Sequence, residues 1–253
     1  MLESFGLTDV GRKRPHNEDT YVADAEASFF AVFDGLGGQN AGEVASSLAA
    51  EAMARFVEKS HRDKEITWPW GLTVDLSFDG NRLFTGTGIA NKKVFKAADG
   101  RPDYTGMGTT VVAVIVRGST LTLAWVGDSR AYLLRGGALQ QLTRDHTWVN
   151  MAVEQGTLAR EDAEKHPWAH VLTRALGGKE GVESDIVERQ LETGDLILLC
   201  SDGLSNMVKG DEIVRLLTPP PATVEEGARR LVTAANEAGG KDNITVILLR
   251  YTA

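Results

Sequence analysis

The acidic residues of this 253-residue chain fall beside runs of apolar ones. Asp34 follows the run 29–33, Asp128 follows 123–126 and one glycine, and Asp202 follows 196–200 and one serine. Asp242 stands just ahead of 244–249, and Glu18 with Asp19 just ahead of Tyr21 and Val22. A strand end holds a side chain on a rigid element, as a metal site requires. Several carboxylates buried together without a cation would be driven to take up protons. A set of hard oxygens with no paired histidine or cysteine selects Mg²⁺ or Mn²⁺ over Zn²⁺. A plainer reading fits the same spacing. Asp-Gly is a common turn pair, which suits Asp34-Gly35 and Asp202-Gly203. Asp128 in GDSR fits a hairpin turn, Asp242-Asn243 a cap, and Glu18-Asp19 a solvated surface pair. The bare pattern leaves both readings open.

The elements that must position these acids are legible from periodicity. The short apolar run 29–33 predicts a buried strand ending at Asp34, broken by GLGGQN. The alanine-rich stretch from about 41 to 59 predicts a helix, and a second is expected over about 80–98 with Leu83, Ala90, Val94 and Phe95 inward. Residues 61–79 carry Trp68 and Trp70 but no clear period. The β-branched runs 109–116, 120–126 and 130–134, separated by RGS and GDS, predict an antiparallel meander, because such short links cannot cross to a parallel neighbour. A weakly helical polar stretch over 149–165 follows. Strands are then expected at 195–200 and 244–250, with helices at about 211–217 and 223–238 separated by Pro219 to Pro221. That order suits an α+β fold of antiparallel sheets with helices outside, and no repeat or linker divides it, so one domain over 1–253 is expected.

Composition narrows the function classes. Hydrophobic residues make up 42% and charged ones 25%, ordinary for a soluble globular protein. A net charge of −8 argues against nucleic acid, which needs a basic footprint. Cys200 is the only cysteine, so no internal disulfide forms, as suits a reducing compartment. No signal-like apolar core opens the chain, and no stretch approaches the roughly 18 apolar residues of a membrane span. A cytoplasmic location, with no membrane or nucleic-acid partner, is the expectation.

Six segments, in order, carry a resemblance: RPHNEDTY, FAVFDGLGG, GMGTTVVAVIV, VGDSRAYLLR, LLCSDGLSNMV and GGKDNITVILL. Together they resemble the signature set of the PPM family, the PP2C-type metal-dependent serine/threonine protein phosphatases, and most of all its bacterial branch. The resemblance implies a PP2C-like α-β-β-α sandwich, two antiparallel sheets flanked by helices, with a binuclear metal site at one end. It implies that Asp34 bridges two Mn²⁺ or Mg²⁺ ions and that the Gly35 carbonyl ligates one of them. Asp202 and Asp242 would hold the first ion with Asp34. Asp19 and Glu18 would face the second, and Asp128 with Asp202 would serve a third, weaker ion. Arg14 matches the arginine that binds the substrate phosphate. The implied activity is hydrolysis of phosphoserine and phosphothreonine on proteins by a metal-activated bridging water. Phosphorylated proteins would be the substrates, a serine/threonine kinase the opposing enzyme, and a monomer the expected state. A flap is expected at about 147–176.

One departure stands out. Animal members carry a histidine two residues after the bridging aspartate, assigned as the acid that protonates the leaving alkoxide, and Leu36 occupies that place here. His16, two residues from both Arg14 and Glu18, is a candidate substitute. Rival readings fit less well. A dinucleotide-binding GxGxxG turn would need glycine at Asn40, and a cysteine phosphatase would need arginine where Asn206 stands. A catalytically silent scaffold of the same fold is the remaining alternative, against which stands an acid at every matched metal position.

Overall fold

A strand apolar at every position needs cover on both faces, and that requirement organises the molecule. The computed structural model describes residues 1–37, 41–63 and 65–253. Its elements are β1 (Leu2–Asp9), β2 (Asp19–Asp24), β3 (Phe29–Leu36), α1 (Ala41–Arg62), α2 (Phe78–Ala98), β4 (Gly108–Thr109), β5 (Val111–Arg117), β6 (Thr120–Val126), β7 (Arg130–Arg135), β8 (Ala138–Gln141), α3 (Trp148–Glu154), α4 (Arg160–Ala163), β9 (Asp185–Gln190), β10 (Leu196–Cys200), α5 (Asp202–Ser205), α6 (Gly210–Leu217), α7 (Val224–Glu237) and β11 (Ile244–Tyr251). One sheet runs β1-β11-β10-β7-β8; the other runs β2-β3-β5-β6-β9, with β4 added beside β3. The pairings are antiparallel.

Successive side chains of β3 alternate between two cores. Phe30 and Val32 point between the sheets, where they meet Ile197, Leu199, Ile247 and Leu249. Phe29, Ala31 and Phe33 point outward against Ala45, Ala49 and Met53 of α1 and Leu83 of α2. On the far side, Leu196, Leu198 and Cys200 of β10 pack with Ile213 and Leu217 of α6 and Leu231 of α7. Each fully buried side chain of this size contributes roughly 1.5–3 kcal/mol from water exclusion. The result is helix, sheet, sheet, helix in four layers, as the resemblance implied.

The sequence expectations hold for the long elements and need correction at the short ones. The helices expected over 41–59 and 80–98 are α1 and α2; Leu83, Ala90 and Val94 are buried, and Phe95 is half-buried. The stretch without a period, 61–79, is a connection whose Trp68 sits edge-on between Phe56 and Phe78. β3 does not end at Asp34 but continues through Leu36, because Gly35 and Leu36 pair with Thr109 and Gly108 of β4. Gly38, Gln39 and Asn40 of the GLGGQN break lie outside the described residues. The expected meander is broken at GDS: β5 and β6 pair, but β7 belongs to the other sheet, beside β10. Gly127, at φ +106°, lets the chain turn through a conformation that other residues resist, so this link changes sheets instead of folding back. The polar stretch 149–165 resolves into the short helices α3 and α4. β1, β8, β9 and α5 were not expected. Burial in the three strands is patchy, β1 gains its partner only from β11 at the far end of the sequence, and α5 is a single buried turn.

Candidate active site

Antiparallel register decides which strand ends coincide. Asp19 opens β2 directly opposite Asp34 of β3. In the other sheet, Cys200 pairs with both Arg130 and Val246, so the chain just beyond β10 lies beside the start of β7 and the start of β11. Asp202, Asp128 and Asp242 therefore emerge at one end of the sandwich. Asp34, Asp128, Asp202 and Asp242 line a cavity of about 930 Å³ together with Arg14, Glu18 and Gly35. Asp19 lies behind that wall, only 8% exposed.

The backbone around Asp34 is tightly held. Its N–H donates to Thr110 Oγ1 at 3.1 Å, and its carbonyl accepts from Thr110 N and Thr109 Oγ1, both at 2.9 Å. Thr110 Oγ1 is in turn 2.6 Å from Ser129 Oγ in the link that carries Asp128. Gly35 admits no side chain: a Cβ there would lie 2.2 Å from the Gly42 carbonyl oxygen and 2.5 Å from that of Glu18. On the opposite side, Ser201 donates to Asp19 Oδ2 at 2.8 Å and accepts from Thr245 N at 3.0 Å. Asn206 donates to Asp202 Oδ2 at 3.1 Å.

The loop between β1 and β2, which carries Arg14 and Glu18, is clasped at three points by Asn243. Asn243 Oδ1 accepts from Glu18 N at 2.8 Å, while its Nδ2 donates to the carbonyls of Val10 and His16 at 3.0 and 2.9 Å. Arg14 Nη2 reaches Asp242 Oδ2 at 2.6 Å. Sequence reasoning picked Asp242-Asn243 for its acid. The amide beside it proves to be the clasp, and Asn after Asp at the head of an apolar strand was its only signal.

Burial and like charge set the electrostatics. Burial above all, then the charges of Asp19, Asp202, Asp128 and Asp242, push the Asp34 carboxyl well above the carboxylate range. Burial likewise raises Asp19 to about 7 and Asp128 to about 8. Asp202 is raised by burial and by Asp242, against the opposing pull of His170, and it stands within hydrogen-bonding reach of Asp34. Burial also raises Glu18, with Arg14 opposing. Asp19 Oδ1 is buried without a hydrogen-bond partner. Among the described residues, Asp19, Asp34, Asp128 and Asp202 enter no ion pair, and no three such side chains are gathered tightly enough to hold an ion as they stand.

His16 is exposed and contributes its carbonyl to the Asn243 clasp. The imidazole on the cavity wall is instead His170, which sequence reasoning passed over because no motif surrounds it. It comes from the segment after α4, along with Glu164, Ala169 and Leu172. Thr147 bridges Leu172, Trp148 stacks on His166 at 4.9 Å, and Lys209 reaches Glu164 at 3.1 Å. Leu36 also lines the cavity. Cys200 is fully buried and its thiol is pushed up to about 12, which removes it from nucleophilic chemistry.

Known proteins carry the same pattern. The family described as Protein phosphatase 2C matches residues 12–241. The serine/threonine protein phosphatase PstP of Mycobacterium tuberculosis is 40% identical over 248 residues, which is 98% of this chain but 45% of that protein. The chain thus spans about half the length of that curated relative. The serine/threonine phosphatase stp of Listeria monocytogenes is 38% identical over 247 residues, covering 96% of this chain and 93% of that one. A crystal structure of the PstP catalytic domain in complex with two manganese ions superposes with a TM-score of 0.82 at 36% identity, over 100% of this chain and 99% of that one. With the acids converging at one end of a four-layer sandwich and the family pattern spanning most of its length, this chain belongs to the protein phosphatase 2C family.

Proposed function

We propose that the protein is a metal-dependent serine/threonine protein phosphatase, a hydrolase of phosphoric monoesters on proteins. The observation that carries this reading is the set of carboxylates around one cavity, Asp19 buried and the others half-buried, four of them without an arginine or lysine partner among the described residues. Elsewhere such burial would cost several kcal/mol per charge. The donor set fits divalent cations: it is all oxygen, Asp19 Oδ1 has no hydrogen-bond partner, and Gly35 lines the same cavity, hemmed in by the Gly42 and Glu18 carbonyls. Asp34, the Gly35 carbonyl, Asp202 and Asp242 would hold one ion, and Asp34, Asp19 and Glu18 the other. Asp128 with Asp202 suits a third, weaker ion. The relative crystallised with two manganese ions supports Mn²⁺, and Mg²⁺ suits the same oxygens. When bound, such a pair lowers the pKa of water and offsets charge on the attacking and leaving oxygens of an in-line displacement.

The chain's own residues supply the rest. Arg14, on the cavity wall and always charged, offers a planar fork to phosphate oxygens, exchanging its bond with Asp242 for one with substrate. Leu36 can neither give nor take a proton. The segment 147–176 would act as a flap over the cavity, closed by contacts such as Lys209 to Glu164. We read residues 1–253 as one phosphatase domain, since the three cores share the same two sheets. A serine/threonine kinase acting on the same proteins, a monomeric state and a cytoplasmic setting extend the reading. Among the described residues no helix is long and apolar enough to cross a membrane, and the net charge of −8 disfavours nucleic acid.

The test is hydrolysis of para-nitrophenyl phosphate and a phosphothreonine peptide, with Mn²⁺ and with chelator. Turnover that needs Mn²⁺ and disappears in Asp34→Ala is expected. Absence of turnover with Mn²⁺ would leave the silent scaffold as the better account.

A further inference from the structure

We infer, resting on the phosphatase reading, that Arg12, Lys13 and Lys241 form an anion-binding rim. It would select phosphopeptides carrying a second negative charge, an acidic side chain or another phosphate, beside the scissile one. Arg12, Lys13 and Arg14 are consecutive in a chain of net charge −8, so their concentration runs against the overall composition. The fold then brings a fourth cation to them from the other end of the sequence. Arg12 N donates to the Gly240 carbonyl at 2.7 Å, and a Cβ on Gly240 would lie 2.7 Å from Arg12 Cγ. The Arg12 side chain therefore starts out across Gly240, next to Lys241, and Lys241 lines the cavity with Arg14.

The loop that presents these cations is not free to wander. Gly11 N donates to Asp9 Oδ1 at 2.8 Å, and Asn243 holds the carbonyls on both sides at Val10 and His16. Gly11, at φ +78°, has no room for a side chain, since a Cβ would lie 2.2 Å from the Asp242 carbonyl oxygen. A rigid rim loses little entropy on binding, so more of each charge contact survives as affinity.

The charges themselves are uncommitted. Arg14 pairs with Asp242. Among the described residues Arg12, Lys13 and Lys241 enter no ion pair, and all three are exposed. A phosphate seated at Arg14 occupies the cavity. Residues flanking it on the side of Lys241, which lines the cavity, would pass the rim, where three unpaired cations await an anion. Such exposed contacts also speed the encounter with acidic partners.

The experiment uses phosphothreonine peptides of one length with glutamate, phosphothreonine, glutamine or lysine beside the scissile residue. Both kcat/KM and binding by fluorescence anisotropy are measured, so the ranking is read even without turnover. Wild type should favour the glutamate and phosphothreonine peptides over the lysine peptide by about five- to tenfold at low salt, the sum of a few exposed ion pairs. The preference should collapse in about 1 M NaCl, where the Debye length is about 3 Å. Arg12→Gln with Lys13→Gln should flatten the ranking, and Lys241→Gln, on a separate loop, should weaken it. A gain for both anionic peptides identifies charge as the recognised feature, and a gain for the doubly phosphorylated peptide alone identifies a second phosphate. A flat ranking in wild type, or one unchanged by the substitutions, overturns the rim. Loss of turnover with the binding order intact would count against the phosphatase reading and leave the rim standing.

Discussion

Buried Asp195 and the buried to half-buried aspartates of the cavity are treated in opposite ways. Asp195, only 1% exposed just ahead of β10, is fully answered: Arg135 donates to both its oxygens at 2.8 and 2.7 Å, and Glu192 N donates at 2.8 Å. At the other end of the same strand, Asp202 faces Asp34, Asp128 and Asp242. Burial pushes the Asp34, Asp19 and Asp128 carboxyls upward, the mark of charges with no local answer. Where an acid serves the fold, this chain supplies its counter-ion. Where it leaves a cluster unanswered, a counter-ion from solution would have to supply the missing charge, which is why we propose a metal site there.

The largest expected break in that comparison is Asp34→Ala. It should cost about a thousandfold or more in kcat with Mn²⁺ present, measured on a phosphothreonine peptide. Chelator-treated Asp34→Ala should nevertheless melt no lower than chelated wild type, because a repelled buried carboxylate has been removed. A large fall in its melting temperature would mean that Asp34 serves the fold, as Asp195 does.

Within the cluster, Asp202→Ala should cost about a hundredfold in kcat/KM and Asp128→Ala about tenfold. Asp202 neighbours Asp34 and Asp242, whereas Asp128 neighbours Asp202 and Asp145. Equal losses would erase the distinction between an inner pair of ions and an outer third.

Asp195→Ala should do the reverse of Asp34→Ala. It should lower the melting temperature by about 5 °C in calorimetry while kcat of the folded fraction stays near that of wild type. An activity loss without a stability loss would show that the two ends of β10 are coupled.

The smallest effect is on the pH dependence of stability. Asp19 and Asp128 hold protons more tightly folded than unfolded, with pKa values of about 7 and about 8. Their contribution in metal-free protein is therefore full below about pH 4 and lost as pH rises through those values. The melting temperature of chelated protein should fall from about pH 5 to about pH 8. Saturating Mn²⁺ should reverse the slope, because cation and proton compete for the same oxygens. Matching slopes with and without metal would count against these acids as ligands.

Much of the fold was legible because long elements carry their own signals. The alanine-rich period of α1 and the unbroken apolar runs of β5, β6 and β10 need no partner to be recognised. β1 failed that test: its residues are mostly half-buried, and its identity as a strand comes from pairing with β11. The GDS link failed for a different reason. Its length correctly excluded a parallel crossover, but a turn of the same length can fold back or change sheets, and Gly127 with its neighbouring packing makes that choice.

The acids divide along the same line. Local sequence placed Asp34, Asp128, Asp202 and Asp242 at or near strand ends, since apolar runs beside an acid are visible in one dimension. It could not distinguish them from turn residues, because a turn aspartate and a cavity aspartate share the same neighbours in sequence. The antiparallel register of both sheets, and the passage of the chain from β6 in one sheet to β7 in the other, brought those strand ends to a single cavity. Asn243, Ser201, Thr110 and His170 became meaningful only there, each acting on residues far away along the chain. Element type rests on short-range periodicity, so composition and spacing determined it. Convergence rests on long-range packing, and only the tertiary structure decided it.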